Sequence, residues 1–303
     1  MPNPNLPLTV APQVAEALAR RQPVVALESA LITHGLPRPV NQQVARQMEA
    51  IVRAEGATPA TVALLAGEVK VGLSPQELER LAHEPEPAKI SQRDLPVAVA
   101  QGRSGGTTVA ATMTLAYRAG IRVFATGGIG GVHRSHPEDV SADLPALATT
   151  PMLVVCAGAK AILDLPRTLE ALETLGVPVV GYQTDTFPAF TSRSSGLPLA
   201  ARADSPQDVA AIARARNRLG LPASLLVCVP IPSDDEMVWA ETHAAVEATV
   251  AEADERGISG RDLTPFLLAR LADRTGGESL AANKALLFHN SRVAAHIARA
   301  LDS

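Results

Sequence analysis

Short apolar runs alternate with helical stretches through the middle of the chain, and that alternation constrains the fold more than any other feature. Arg122–Ala125, Met152–Cys156, Val177–Gly181 and Ser224–Val229 are apolar almost throughout rather than at every second residue. Strands of this kind are buried on both faces. Between them, Thr107–Ala119, Ala161–Leu175 and Ser205–Leu219 carry helical spacing. The order predicts an α/β protein whose sheet is covered by helices on both faces.

The flanking segments extend the pattern. Pro23–Leu27 is a short buried strand ending in Glu28-Ser29. Val40–Ala54 is helical, with Val44, Met48, Ile51 and Val52 on one side and Gly56 as a stop signal. Thr61–Ala66 and Val69–Val71 flank Gly67-Glu68 as a hairpin. Ser74-Pro75 with Glu77 has the pattern of a capping box. The last third is helical, over roughly 233–255, 262–274 and 277–301. Residues 1–12, rich in proline and asparagine, read as a tail or an edge arm. With no internal repeat and no linker composition, a single domain over residues 1–303 is the simplest organisation.

Composition narrows the partners. A net charge of −4 gives no general attraction to nucleic acid or to an anionic membrane, so an anionic small molecule needs a local cluster of cations. Aromatic residues are only 3%, which argues against a base-stacking surface for a nucleic acid polymer. Cys156 and Cys228 sit in apolar runs and read as buried thiols, with no disulfide framework. No apolar run approaches the ~20 residues of a membrane span. The N-terminus lacks the basic and apolar segments of a secretory signal, so the cytoplasm is the expected compartment.

Five segments carry candidate chemistry. Lys160 follows the Met152–Cys156 strand, with a helix expected just after it, where α/β sheets bind ligands. A neutral amine there can attack a carbonyl carbon; a solvent-facing lysine is the alternative. Glu28 at a strand end can donate a proton if burial raises its pKa, or it can simply pair or cap. The glycine-rich loops Gln101–Val109 and Thr126–Arg134 suit close backbone approach to a ligand, although tight packing explains many such glycines. Neither has the spacing of a dinucleotide fold or a Walker lysine. Asp139 and Asp143 share a face if helical, and their hard oxygens suit Mg²⁺ or Mn²⁺, or they cap free amides. Lys89 and Arg93 can clamp a phosphate, or form a surface ion-pair cluster with Asp94.

Taken together, Ala26–Ser29 with His34-Gly35, Lys89–Ser91 with Arg93–Leu95, Gly105–Met113, Ala125–Arg134, Ser141–Leu144, Val154–Lys160 and Asp164–Glu170 resemble the pseudouridine-5′-phosphate glycosidase family, also called indigoidine-synthase-A-like. Thr184-Asp185, Phe187–Phe190, Ser279-Leu280 and Ala282-Asn283 continue the resemblance in order. It implies an α/β/α sandwich with a central, mostly parallel sheet. It implies reversible cleavage of the C–C glycosidic bond of pseudouridine 5′-phosphate to uracil and ribose 5-phosphate. Lys160 takes the Schiff-base nucleophile position and Glu28 the proton-donor position. Lys89, the Val109 backbone, Ser141, Ala142 and Asp143 take substrate-binding positions, and Thr126, His133 and Asn283 line the same pocket. Asp139 takes the position of a Mn²⁺ ligand, one divalent ion per subunit, and the assembly implied is a homotrimer. The chain departs from the family pattern at Ala30, Gln92, Thr186 and Glu278. Another Schiff-base lyase or an N-glycosidase acting on a sugar phosphate is the rival activity. A non-catalytic ligand-binding protein on the same scaffold is the rival class.

Overall fold

The structure is a computed structural model that describes residues 8–134, 136–258 and 263–302. The N-terminal part runs β1 (Leu8–Val10), α1 (Pro12–Ala19), β2 (Val24–Leu27), α2 (Val40–Ala54), β3 (Thr58–Leu65), β4 (Glu68–Val71) and α3 (Pro75–Ala82). Next come β5 (Ala88–Ile90), α4 (Leu95–Ala100), β6 (Gly105–Thr107), α5 (Val109–Ala119), β7 (Val123–Ala125), β8 (Val132–His133) and α6 (Asp143–Thr149). The chain continues with β9 (Leu153–Cys156), β10 (Leu163–Asp164), α7 (Leu165–Thr174), β11 (Val179–Tyr182), β12 (Ala201–Ala203), α8 (Pro206–Arg218) and β13 (Leu225–Cys228). It closes with α9 (Trp239–Glu255), α10 (Leu263–Arg274) and α11 (Glu278–Asp302).

Among the described residues the main sheet has eleven strands, ordered β1-β4-β3-β2-β7-β9-β13-β11-β12, with β6 against β3 and β5 against β6. From β3 through β12 every neighbouring pair on that path is parallel. The β3–β4 pair is antiparallel and forms the expected hairpin, turning at Ala66-Gly67. Gly67 has φ +79°, and a Cβ there would lie 2.8 Å from the Val99 carbonyl oxygen, so the turn requires glycine.

The central strands are buried on both faces, which is why their apolar runs do not alternate. Val25 and Leu27 face one core, with α2, α8 and α11; Val24 and Ala26 face the other, with α1, α5, α6 and α7. The α/β/α sandwich follows. In α2 the apolar stripe Val44, Met48, Ile51 and Val52 is buried, each side chain contributing roughly 1.5–3 kcal/mol. The capping box starts α3: the Ser74 hydroxyl accepts from the Glu77 amide, and the Glu77 carboxylate accepts from the Ser74 amide at 2.8 Å. Cys156 and Cys228 are register partners on β9 and β13, fully buried in the same core.

Several boundaries differ from the sequence reading. Thr107 belongs to β6, so α5 begins at Val109. The helix expected from Ala161 begins at Leu165, because Leu163-Asp164 pairs with β8 and Asp164 caps the helix by accepting from the Arg167 amide. A single 3₁₀ turn occupies Ser233–Asp235, and the long helix starts only at Trp239. Of the proposed tail or edge arm, Leu8–Val10 pairs in parallel with β4 at the sheet edge, while residues 1–7 lie outside the described residues. Residue 262, at the start of the penultimate expected helix, also lies outside them.

Candidate active site

The strand order assembles the site. β2, β7 and β9 are adjacent and parallel, so their carboxyl ends share one edge of the sheet. Glu28 follows β2, Thr126 follows β7, and Lys160 follows β9 by four residues. This is the crevice where open α/β sheets take ligands.

Glu28 is almost wholly buried and accepts a short hydrogen bond from the Thr126 hydroxyl. Burial pushes its carboxyl above the usual carboxylate range. Lys160, the Thr126 hydroxyl and Lys89 pull the other way, while Asp143 adds to the rise. The carboxyl therefore holds its proton to a higher pH than a solvated glutamate, as a general acid requires.

Lys160 is half-buried and its backbone amide donates to the Ile129 carbonyl. The turn Lys160–Leu163 separates it from the start of α7. The helix expected just after Lys160 starts only at Leu165, because the β8–β10 pairing occupies Leu163-Asp164.

Two lobes meet at this lysine. Glu28, Ala30, Lys89, Lys160 and Thr264 line both. One lobe, about 1130 Å³, is polar and includes Arg93, Thr108, Val109, His133, Asp139 and Ser141. The other, about 570 Å³, is largely apolar, with Leu31, Phe190, Leu268 and Leu287, and Asn283 as a polar group.

The polar lobe brings together most of the residues singled out in the sequence. Lys89 sits on β5, while Arg93 stands largely in solvent, its nearest acid Asp94 at 3.9 Å. Among the described residues nothing in the protein accepts from the Val109 amide at the start of α5, and the buried Thr108 hydroxyl beside it has no partner. Thr108 and Val109 both line the lobe, and these two donors have unused capacity. Ala142 lines it as well.

Asp139 and Asp143 do not share a helix. Asp139 closes a turn, its amide donating to the His136 carbonyl and its own carbonyl accepting from the His133 amide, and Asp143 starts α6. Asp143 is buried: its Oδ1 accepts from the Ala110 amide at 2.9 Å and its Oδ2 from the Gly130 amide at 2.8 Å. It thereby ties the start of α5 to the glycine loop. The Asp139 carboxylate is more open and lies 4.0 Å from His133 Nε2. Burial chiefly holds the His133 imidazole below its ordinary pKa, against the pull of Asp139. Among the described residues no three His, Cys, Asp or Glu side chains converge on one point. A divalent ion here would find one open carboxylate, that of Asp139, and would need its remaining ligands from water and substrate oxygens.

For the glycines, packing is the stronger explanation. A Cβ at Gly128 would meet the Phe190 ring at 2.8 Å, and one at Gly130 would run into Ser141. Phe190 holds φ +63°, its amide donating to the Ala157 carbonyl, which lays the ring against the loop.

Sequence reasoning missed three contributors. Asn290 on α11 donates to the Thr126 carbonyl at 2.8 Å and fixes the loop from behind. Thr264 and Leu268 on α10 form part of the wall. None belongs to a motif with its own chemistry; only the helical spacing of α10 and α11 hinted that they face inward.

Comparison with known proteins agrees along the whole chain. Residues 13–300 match the family described as indigoidine synthase A like protein. A pseudouridine-5′-phosphate glycosidase of Methylobacterium nodulans is 56% identical, over 99% of this chain and 89% of its own length. One of Paracoccus denitrificans is 53% identical, over 97% of this chain and 98% of its own. Among solved structures, the prealnumycin C-glycosynthase AlnA in complex with ribulose 5-phosphate superposes with a TM-score of 0.91 at 42% identity, covering 99% of this chain and 98% of that one. An indigoidine synthase A-like protein of Thermotoga maritima gives 0.90 at 35% identity, covering 98% and 97%. Sequence and fold agree over nearly every residue: the chain belongs to the indigoidine synthase A like proteins.

Proposed function

We infer that the chain is an enzyme that breaks and makes the C–C glycosidic bond of pseudouridine 5′-phosphate, the activity for which its relatives at 50–56% identity are named. The observation that carries the chemistry is the pairing at the two lobes' junction. A buried carboxyl with a raised pKa and a half-buried lysine face one cavity, from the ends of two strands that flank a third.

The bond to be broken is carbon–carbon, so protonating a leaving nitrogen gives no help. Glu28 gives its proton to the ribose ring oxygen as the C1′–O bond opens. The neutral Lys160 Nζ bonds to C1′, and the Glu28 carboxylate takes a proton from that nitrogen. The nitrogen lone pair then expels the electrons of the C1′–C5 bond onto the uracil ring, where C5 gains a proton. Water adds to the resulting iminium carbon, the amine leaves, and ribose 5-phosphate is released. Run backwards, the same steps join uracil to the sugar.

Lys89, the Val109 amide, the Thr108 hydroxyl and Ser141 suit the phosphate and sugar oxygens. Asn283 and the apolar lobe suit the base. A divalent ion, Mn²⁺ in this proposal, would rest on Asp139 and supply charge neutralisation near the anionic end of the substrate. A homotrimer acting in the cytoplasm completes the proposal. Among the described residues no helix is long and apolar enough to cross a membrane.

Borohydride added during turnover tests the central step. A pentose-phosphate adduct is expected on Lys160, and Lys160→Ala should abolish both the adduct and uracil release. An adduct on Lys89 would overturn the assignment, and the release of base without any adduct would favour direct hydrolysis.

A further inference from the structure

The apolar lobe has a second space against it. This annex, of about 1060 Å³, shares Phe190 and Leu268 with the lobe. His34, Gly35, Leu36, Phe190, Pro265, Leu268 and Asn283 line both, so the two spaces adjoin. The annex is walled by Pro37, Ala269, Leu271, Ala272 and Leu280, from the loop before α2 and from α10 and α11. One charged side chain, Asp273, stands among its lining residues. The Thr191 hydroxyl in the same wall is buried and has no hydrogen-bond partner.

The lobes impose an orientation, which rests on the function inferred above. With C1′ at Lys160 and the sugar phosphate in the polar lobe, the base occupies the apolar lobe. Its far edge then faces the annex. In uracil bonded through C5, a substituent on N1 points back and away from the bond being made. N1 substitution also leaves C5 nucleophilic, because the N1 lone pair still feeds the C5–C6 double bond.

We propose that the site accepts uracils carrying an apolar N1 substituent as carbon nucleophiles, with the substituent held in the annex. The reaction balances as for uracil. C5 forms a bond to C1′ of ribose 5-phosphate and loses its proton, and the sugar's carbonyl oxygen departs as water.

The experiment incubates the purified protein with ribose 5-phosphate, Mn²⁺ and either uracil or N1-benzyluracil. The C-nucleotide formed is followed by mass spectrometry. N1-benzyluracil should react within about tenfold of the uracil rate, the scale on which a well-filled apolar pocket discriminates. Ala272→Trp, which fills the annex outside the base lobe, should leave uracil turnover unchanged and lower N1-benzyluracil turnover by about tenfold or more. Ala269→Tyr on the exposed side of the same wall repeats the test should the first variant fold poorly, with circular dichroism and thermal melting as the measure of folding. Reaction with uracil but none with N1-benzyluracil overturns the proposal. So does equal loss of both substrates in folded variants. Failure with uracil itself overturns the parent function, and this proposal with it.

Discussion

Replacing Glu28 by glutamine keeps its shape and its bond from Thr126 but removes the titrating proton. If the carboxyl is the general acid, turnover should fall by about 10²–10⁴-fold, equivalent to about 3–5 kcal/mol of transition-state stabilisation. Binding of substrate in the ground state should change far less. Stability should respond with the opposite sense of benefit, in a pH-dependent way. Burial raises the folded-state pKa of Glu28 above its ordinary 4.5. The contribution of this group to stability is therefore fully present below the unfolded pKa and is lost as pH rises through the folded pKa. The wild type should lose stability relative to Glu28→Gln between those two values, and the difference should level off above them. Each kcal/mol moves the melting temperature by about 2 °C in a chain of this size. Thermal melts of both proteins from pH 4 to 9, with initial rates over the same range, measure the two effects together. A melting difference that stays flat would refute the raised pKa. Near-normal turnover in Glu28→Gln with an unchanged alkaline limb would refute the acid role.

Three further outcomes follow from the same geometry. Thr126→Val removes a hydroxyl that favours the Glu28 carboxylate, so the alkaline limb of the rate should move to higher pH; a shift to lower pH would mean that the bond favours the acid form instead. Asp143→Ala leaves the Ala110 and Gly130 amides buried without an acceptor, at roughly 1–3 kcal/mol each, and should lower the urea midpoint with the unfolding slope unchanged. Asp139→Asn should weaken Mn²⁺ binding at least tenfold in a paramagnetic resonance titration made without substrate, and an unchanged affinity would move the ion elsewhere.

The strands that carry the site were readable because they are doubly buried. Val24–Leu27, Val123–Ala125 and Leu153–Cys156 have no polar face, so their apolar runs stand out, and the residues just past their ends are the candidates. Short strands left no such trace. Leu163-Asp164 pairs over two residues only, too few to show a period, and its pairing displaced the helix expected after Lys160. Gly105–Thr107 is a strand made mostly of glycine, a residue whose composition signals a loop. The role of Asp143 was hidden for a different reason. Its partners, Ala110 and Gly130, are backbone amides, which any residue other than proline supplies. Pairing by chain order also fails at β9, where β13 inserts itself ahead of β11.

The two thiols on neighbouring central strands make the sheet its own reporter. Cys156 and Cys228 lie side by side in the innermost layer, and burial pushes the Cys228 thiol well above its ordinary pKa. An aqueous thiol reagent reaches neither while β9 and β13 stay paired and covered. Both become reactive in the same event that parts these strands, the event that also separates the Lys160 loop from its support. The rate at which unmodified protein takes up such a reagent is then a direct count of how often the whole framework of the site comes apart, with substrate and metal free to slow it.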